Sequence, residues 1–230
     1  MGNSLRNYTL LAFIWPFVLF ASGPYTSHGN APLQDTTWLK QQIRNGRIWE
    51  NRYGQVSGHE YFFTEALCEG RVTVNGREFK NQLLRYDILN DNPVLMVHPD
   101  LFIVLNSESA GEFTLICQNR EYRFANFGEA GYFLVLYDGK TKLLRKYVKT
   151  VKKQSYDNLY ATFVEESTEY ILSGGTLHPV RNRKDVALAL AGKEKEVREY
   201  IRRNTPYRIA GNAELLIPVL EYIDSISPGK

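Results

Sequence analysis

Arg71-Val-Thr-Val-Asn-Gly-Arg-Glu-Phe79 is the stretch that decides the fold. Val72 and Val74 alternate with polar neighbours, the two-residue period of a half-buried strand. Asn75-Gly76 then supplies the dipeptide that a two-residue type I′ turn requires, because both central residues of that turn need positive φ. A β-hairpin is expected here. The same pattern runs outward along the chain. Short apolar alternations cover residues 82–88, 94–97, 101–105, 113–118, 121–127, 132–137, 142–151, 160–164, 170–172 and 176–180. Turn residues separate them, among them Asn90-Asp-Asn-Pro93, Ala110-Gly111, Asp138-Gly139 and Gly174-Gly175. Such spacing predicts antiparallel sheet, arranged as a β-sandwich or as one open, rolled sheet. No βαβ crossover pattern is present, which excludes a parallel nucleotide-binding sheet.

The C-terminal fifth changes period. Residues 184–191 fit a short helix ended by Gly192, and 193–203 fit another in which Val197, Tyr200 and Ile201 share a face. A third helix is expected within 213–226, where Pro218 marks the first turn or a kink. A further short helix, capped by Thr37, is expected over 37–44. The class is therefore mainly β (α+β), with short C-terminal helices packed on the sheet. Aromatic residues make up 13% of the 230-residue chain, in keeping with strands. With no repeat and no low-complexity linker, residues 32–230 read as one domain with a helical subdomain at about 183–226.

Residues 1–31 read differently. Arg6 precedes Tyr8-Thr-Leu-Leu-Ala-Phe-Ile-Trp-Pro-Phe-Val-Leu-Phe-Ala21, and Ser22-Gly23-Pro24 follow. A basic start, an apolar run and a small-residue exit predict an export signal. The run is shorter than the ~20 residues of a membrane span and contains Pro16. Each possible cleavage position, after Ala21-Ser22-Gly23 or Gly29-Asn30-Ala31, meets a proline, so an uncleaved N-terminal anchor stays open. Export places Cys68 and Cys117, the two cysteines, where a disulfide closing a loop of about 50 residues can form; two separate thiols are the alternative.

No residue set specifies catalysis. Ser107-Glu-Ser109-Ala-Gly111 lacks the first glycine of a nucleophile elbow and joins two strands rather than a strand and a helix. His98-Pro99-Asp100 places a base near a carboxylate in a loop, with no partner specified. Two cysteines and four scattered histidines give no metal-ligand spacing, and no cofactor motif is present. The distinctive feature is charge. Lys140, Lys142, Arg145, Lys146, Lys149, Lys152 and Lys153 are seven cations in fourteen residues without an acid. The following 154–180 carry four acids and no base. On a strand the cations fall on both faces, so the element is expected at a sheet edge, where lysines also discourage stray pairing. The functional alternative is an anionic partner, either a lipid surface or an acidic glycan. Nucleic acid is not expected, since only Tyr147 lies among the lysines for base stacking and export separates the chain from it.

Several segments recur in a characteristic order: Asn45-Gly-Arg-Ile-Trp-Glu-Asn51, Gly70-Arg-Val-Thr-Val-Asn-Gly76, Leu84-Arg-Tyr-Asp-Ile-Leu-Asn-Asp91, Tyr122-Arg-Phe-Ala-Asn126, Gly131-Tyr-Phe-Leu-Val-Leu-Tyr-Asp-Gly-Lys140, Lys184-Asp-Val-Ala-Leu-Ala-Leu190 and Val197-Arg-Glu-Tyr-Ile-Arg-Arg-Asn204. Together they resemble a family of uncharacterised exported β-rich proteins of Bacteroidota. The resemblance implies a periplasmic, envelope-associated or extracellular location and carries no catalytic residues. The expected role is a non-enzymatic binding or scaffold module of the envelope, with an anionic surface or another envelope protein as partner. A carrier of lipid or small molecules inside a rolled sheet and a hydrolase of envelope polymers are the rival expectations.

Overall fold

The computed structural model describes residues 46–154, 160–190, 195–205, 209 and 212–226. The expected export segment or anchor at 1–31 and the expected helix at 37–44 lie outside the described residues. The strands are β1 (Arg47–Ile48), β2 (Val56–Ser57), β3 (Cys68–Val74), β4 (Arg77–Asp87), β5 (Asn92–His98) and β6 (Leu101–Val104), then β7 (Ala110–Cys117), β8 (Arg120–Asn126), β9 (Tyr132–Asp138), β10 (Lys142–Gln154), β11 (Tyr160–Ser173) and β12 (Thr176–Pro179). The helices are α1 (Arg183–Ala189), α2 (Lys195–Asn204) and α3 (Ile217–Ile226), and a 3-10 turn at Ala213–Leu216 leads into α3.

All twelve strands belong to one open sheet, in the order β1-β6-β5-β4-β3-β7-β8-β9-β10-β11-β12 with β2 beside β11. The chain thus takes the open-sheet arrangement and not the sandwich. The ladders are antiparallel except at β2, which runs parallel to β11 through Val56↔Ala161. The β3–β4 hairpin turns at Asn75 (φ 50) and Gly76 (φ 76), as the dipeptide requires. In β3 the buried residues alternate strictly: Cys68, Gly70, Val72 and Val74 face in. Two expected short strands, 160–164 and 170–172, are one continuous β11. The polar run between them continues the ladder, with Glu165 and Glu169 lying opposite Lys149 and Arg145 of β10.

Four strands separate β4 from β10 in the sheet order, yet the Lys149 amide donates to the Ile88 carbonyl at 3.1 Å. The sheet therefore curls until the end of β4 meets β10. Rings fill the concave side. Tyr86 packs on Phe113, Phe124 and Tyr132 with centroids 4.8–6.0 Å apart, and all four side chains are buried. Such pairs contribute about 0.5–1.5 kcal/mol each beyond burial. The interior that a carrier would hollow out for its cargo is occupied by these rings. Asp91, at the β4–β5 turn, fastens the curl. Its carboxylate accepts from the Tyr86 hydroxyl, from the Tyr132 amide at 3.4 Å and from Lys146 Nζ at 2.5 Å.

The helices form a second core with the sheet, where Leu143 and Ile171 meet Val186, Ile201, Leu216, Leu220 and Ile223. Asn182 caps α1, its side chain accepting from the Lys184 and Asp185 amides at 2.8 and 3.2 Å. Pro218 sits in the first turn of α3, where its missing N–H costs nothing. Asp224 of α3 locks the β9–β10 turn by accepting from the Tyr137 hydroxyl and the Thr141 amide, both at 3.1 Å.

A disulfide joins Cys68 to Cys117 across the β3–β7 pair, with Cα atoms 5.1 Å apart. At Gly70 these two strands approach so closely that a Cβ would run into the Thr114 carbonyl oxygen. Gly70→Ala is expected to cost at least about 2 kcal/mol in urea unfolding, because the backbone itself must move. Reducing the disulfide is expected to cost about 2–4 kcal/mol. A wild-type unfolding midpoint in the Gly70→Ala protein contradicts the close approach.

Candidate functional site

The seven cations at 140–153 do not form one exposed surface. Strand β10 is no sheet edge: β9 pairs with it over residues 142–145, and β11 runs along its whole length. Past Arg145 the β9 side falls away, and the Ile88 carbonyl bonds Lys149 there. Most of the positive charge is used internally. Lys142 pairs with Asp138, Arg145 with Glu169 at 3.1 Å and Glu214 at 3.2 Å, and Lys146 with Asp91. Lys149 meets Glu165 at 3.5 Å and Lys152 meets Glu166 at 3.6 Å. Lys140 Nζ donates to the Asp224 carbonyl at 3.1 Å. Lys152 and Lys153 are exposed.

The expectation of an edge strand failed for a physical reason. Charges on both faces of a strand are tolerable in a sheet interior when the next strand supplies opposite charges in register. Here Lys149 lies opposite Glu165 and Arg145 opposite Glu169.

The side chains that resembled catalytic parts stay apart. His98 is the last residue of β5, paired with Leu101 at the start of β6, whereas Ser107 and Ser109 sit in the turn after β6, at the other end of that strand. The Ser109 hydroxyl donates to the Asn106 carbonyl at 3.0 Å, a turn contact. Among the described residues no group of three or more His, Cys, Asp or Glu is placed to hold a metal ion.

A different site emerges from the segment before β3. In β4, Leu84 and Tyr86 face the core, so Arg85 points to the opposite face. Three rings surround its guanidinium carbon: Tyr61 at 4.1 Å, Trp49 at 4.5 Å and Phe102 at 4.7 Å. The rings brace each other, with Trp49 edge-on to Phe102 at 5.9 Å. The Trp49 amide is tied to the Phe102 carbonyl at 2.9 Å. Cation–π attraction contributes about 0.5–2 kcal/mol per ring, more as water is excluded. What the box lacks is an acceptor. Arg85 Nε is buried without a hydrogen-bond partner, and no described carboxylate forms an ion pair with this guanidinium.

Arg85 lines a cleft of about 200 Å³ together with Asn51, Tyr53, His59, Glu60 and Glu65. Lys149 builds the wall from behind. Its buried Nζ donates to the Tyr61 carbonyl at 2.5 Å and the His59 carbonyl at 2.9 Å, fixing the 59–61 segment on β10. Burial pulls the Lys149 ammonium below its ordinary range, opposed by Glu165. Burial also pushes the Tyr61 hydroxyl above its ordinary range, with the adjacent Glu60 adding to the effect. Asp87, beside this wall, is raised by burial although Asn90 hydrogen bonds oppose the shift. A rigid cation with open donors in a polar cleft is suited to holding an anion.

No protein-family model, curated protein or solved structure matches the chain. Sequence reasoning passed over Arg85 because its partners come from three separate segments. The signal it could have used is the aromatic density of the residues from Trp49 to Phe63, which belong to no long strand.

Burial, and after it the Lys149 charge, hold the His59 imidazole below its ordinary 6.5. The unfolded chain therefore takes the proton first as pH falls. This group costs the fold nothing above pH 6.5 and increasingly destabilises it below, until the folded form is protonated too. Unfolding free energies of wild type and His59→Gln, measured from pH 7.5 down to 5, are expected to shift steadily in favour of the variant. A constant difference over that range contradicts this placement of His59.

Proposed function

We propose that this chain is an exported protein of the cell envelope or extracellular space, and that it works as a non-enzymatic binding module taking an anionic group onto Arg85. The observation that carries the reading is a guanidinium boxed by three rings and left without an acceptor. A buried N–H with no partner costs about 1–3 kcal/mol, a cost that an anion removes if it reaches Nε. The rings hold the side chain still, so little rotamer entropy remains to be lost on binding. Export is supported by the N-terminal sequence pattern. It is supported too by the Cys68–Cys117 disulfide, a bond typical of oxidising compartments. In this reading the cations of β10 are structural, and Arg85 takes over the role that charge segregation had assigned to them.

Retention on carboxylated, phosphorylated and sulfated supports at physiological salt tests the assignment. Arg85→Gln is expected to weaken retention on at least one support by tenfold or more, the loss of about 1.5–3 kcal/mol that a charged hydrogen bond contributes. The Lys152→Gln/Lys153→Gln double variant is expected to change it less than about twofold. Loss of retention in the lysine variant with wild-type behaviour in Arg85→Gln assigns the anion to β10 instead.

A further inference from the structure

Resting on the Arg85 reading, we propose that the anion is the carboxylate of an acidic sugar, a uronate-type residue of a polysaccharide. Four features of the cleft point to this class.

The first is the shape of the donor. With rings crowding the guanidinium carbon at 4.1–4.7 Å, a ligand meets the N–H groups, and the planar fork of an arginine matches a planar carboxylate with two parallel hydrogen bonds. The second is charge. Glu60 and Glu65 line the same cleft, two carboxylates against the one guanidinium of Arg85, with the Lys149 ammonium behind the wall. A phosphomonoester, carrying about −1.5 to −2 charge, is repelled there more than a monoanion is.

The third feature is the set of remaining polar groups. Sugar hydroxyls donate to the Glu60 and Glu65 carboxylates and accept from the Asn51 side-chain amide, contacts that a ligand whose only polar group is its charge does not make. Walls that carry Arg85, Glu60, Glu65 and Asn51 do not suit a lipid tail, and a peptide C-terminus would want an apolar pocket for its last side chain. The fourth is size and flanking surface. About 200 Å³ suits a single pyranose unit, and Tyr53 stands at the side of the cleft, its ring braced edge-on by Phe163 at 5.8 Å. Such a ring is the kind of surface on which a sugar face packs.

Calorimetric titration of the full exported chain tests the proposal with four probes: a galacturonic acid trimer, its carboxyl-reduced neutral counterpart, a hexose 6-phosphate and a short peptide with a free C-terminal carboxylate. The galacturonate trimer is expected to bind at least tenfold more tightly than each of the other three. Arg85→Gln removes that preference. Arg85→Lys, which keeps the charge and loses the fork, weakens trimer binding about fivefold or more while the protein stays folded by circular dichroism. Glu65→Gln, at an exposed position, weakens the trimer and leaves or improves the phosphate. If the phosphate or the peptide binds as tightly as the trimer through Arg85, the sugar assignment is overturned and the anion site stands. If no probe binds in an Arg85-dependent way, both fall.

Discussion

Lys149 is the point at which the sheet, the cleft and the charge pattern meet. Placing an ammonium away from water costs several kcal/mol unless hydrogen bonds and opposite charge replace the lost hydration. Here two carbonyls, of His59 and Tyr61, and the Glu165 carboxylate do so, although burial still pulls the ammonium below its ordinary range. The same residue accepts the curl of the sheet through its backbone, by donating its amide to Ile88. One side chain thereby holds the segment carrying His59, Glu60 and Tyr61 against β10, and Tyr61 is one of the three rings around Arg85. Without that tether the cleft loses its back wall.

The neighbouring contacts repeat the logic on other segments. Asp91 collects Lys146, Tyr86 and the Tyr132 amide, which draws the β4–β5 turn onto β9 and β10. Arg145 bridges Glu169 of β11 and Glu214 of the turn before α3, while Asp224 holds the β9–β10 turn from α3 itself. Charged groups of β10 and its flanking turn thus make many of the long-range polar connections among the described residues. The apolar cores set how much stability is gained, and these polar contacts set which segments lie against which. That division leaves Arg85 as a cation held by rings, with donors still open.

The strand pattern was readable because its determinants are local. Asn75-Gly76 and Gly174-Gly175 demand positive φ at adjacent positions, and the structure has it at all four. Alternation in β3 follows from Val72 and Val74 alone. The charge pattern was visible in the sequence, yet its meaning depended on register. The basic run of 140–153 and the acidic run that follows are the two arms of one hairpin, so the segregation along the chain is complementarity across a ladder. Treating β10 by itself made an edge the natural inference. Arg85 was illegible for a related reason. Its box is assembled from Trp49, Tyr61 and Phe102, and only the curl of the sheet and the drape of the 49–61 segment bring them together.

Inward-directed charge on β10 is the claim on which the rest depends, and unfolding energetics of single lysine-to-methionine variants measure it most directly. Methionine keeps most of the apolar stem and removes the ammonium. Lys149→Met is predicted to lose about 2–4 kcal/mol, since it leaves two buried carbonyls unsatisfied, while Lys152→Met, at an exposed pair, is predicted to stay within about 0.5 kcal/mol of wild type. Equal and small losses at both positions would mean that the basic strand faces outward after all.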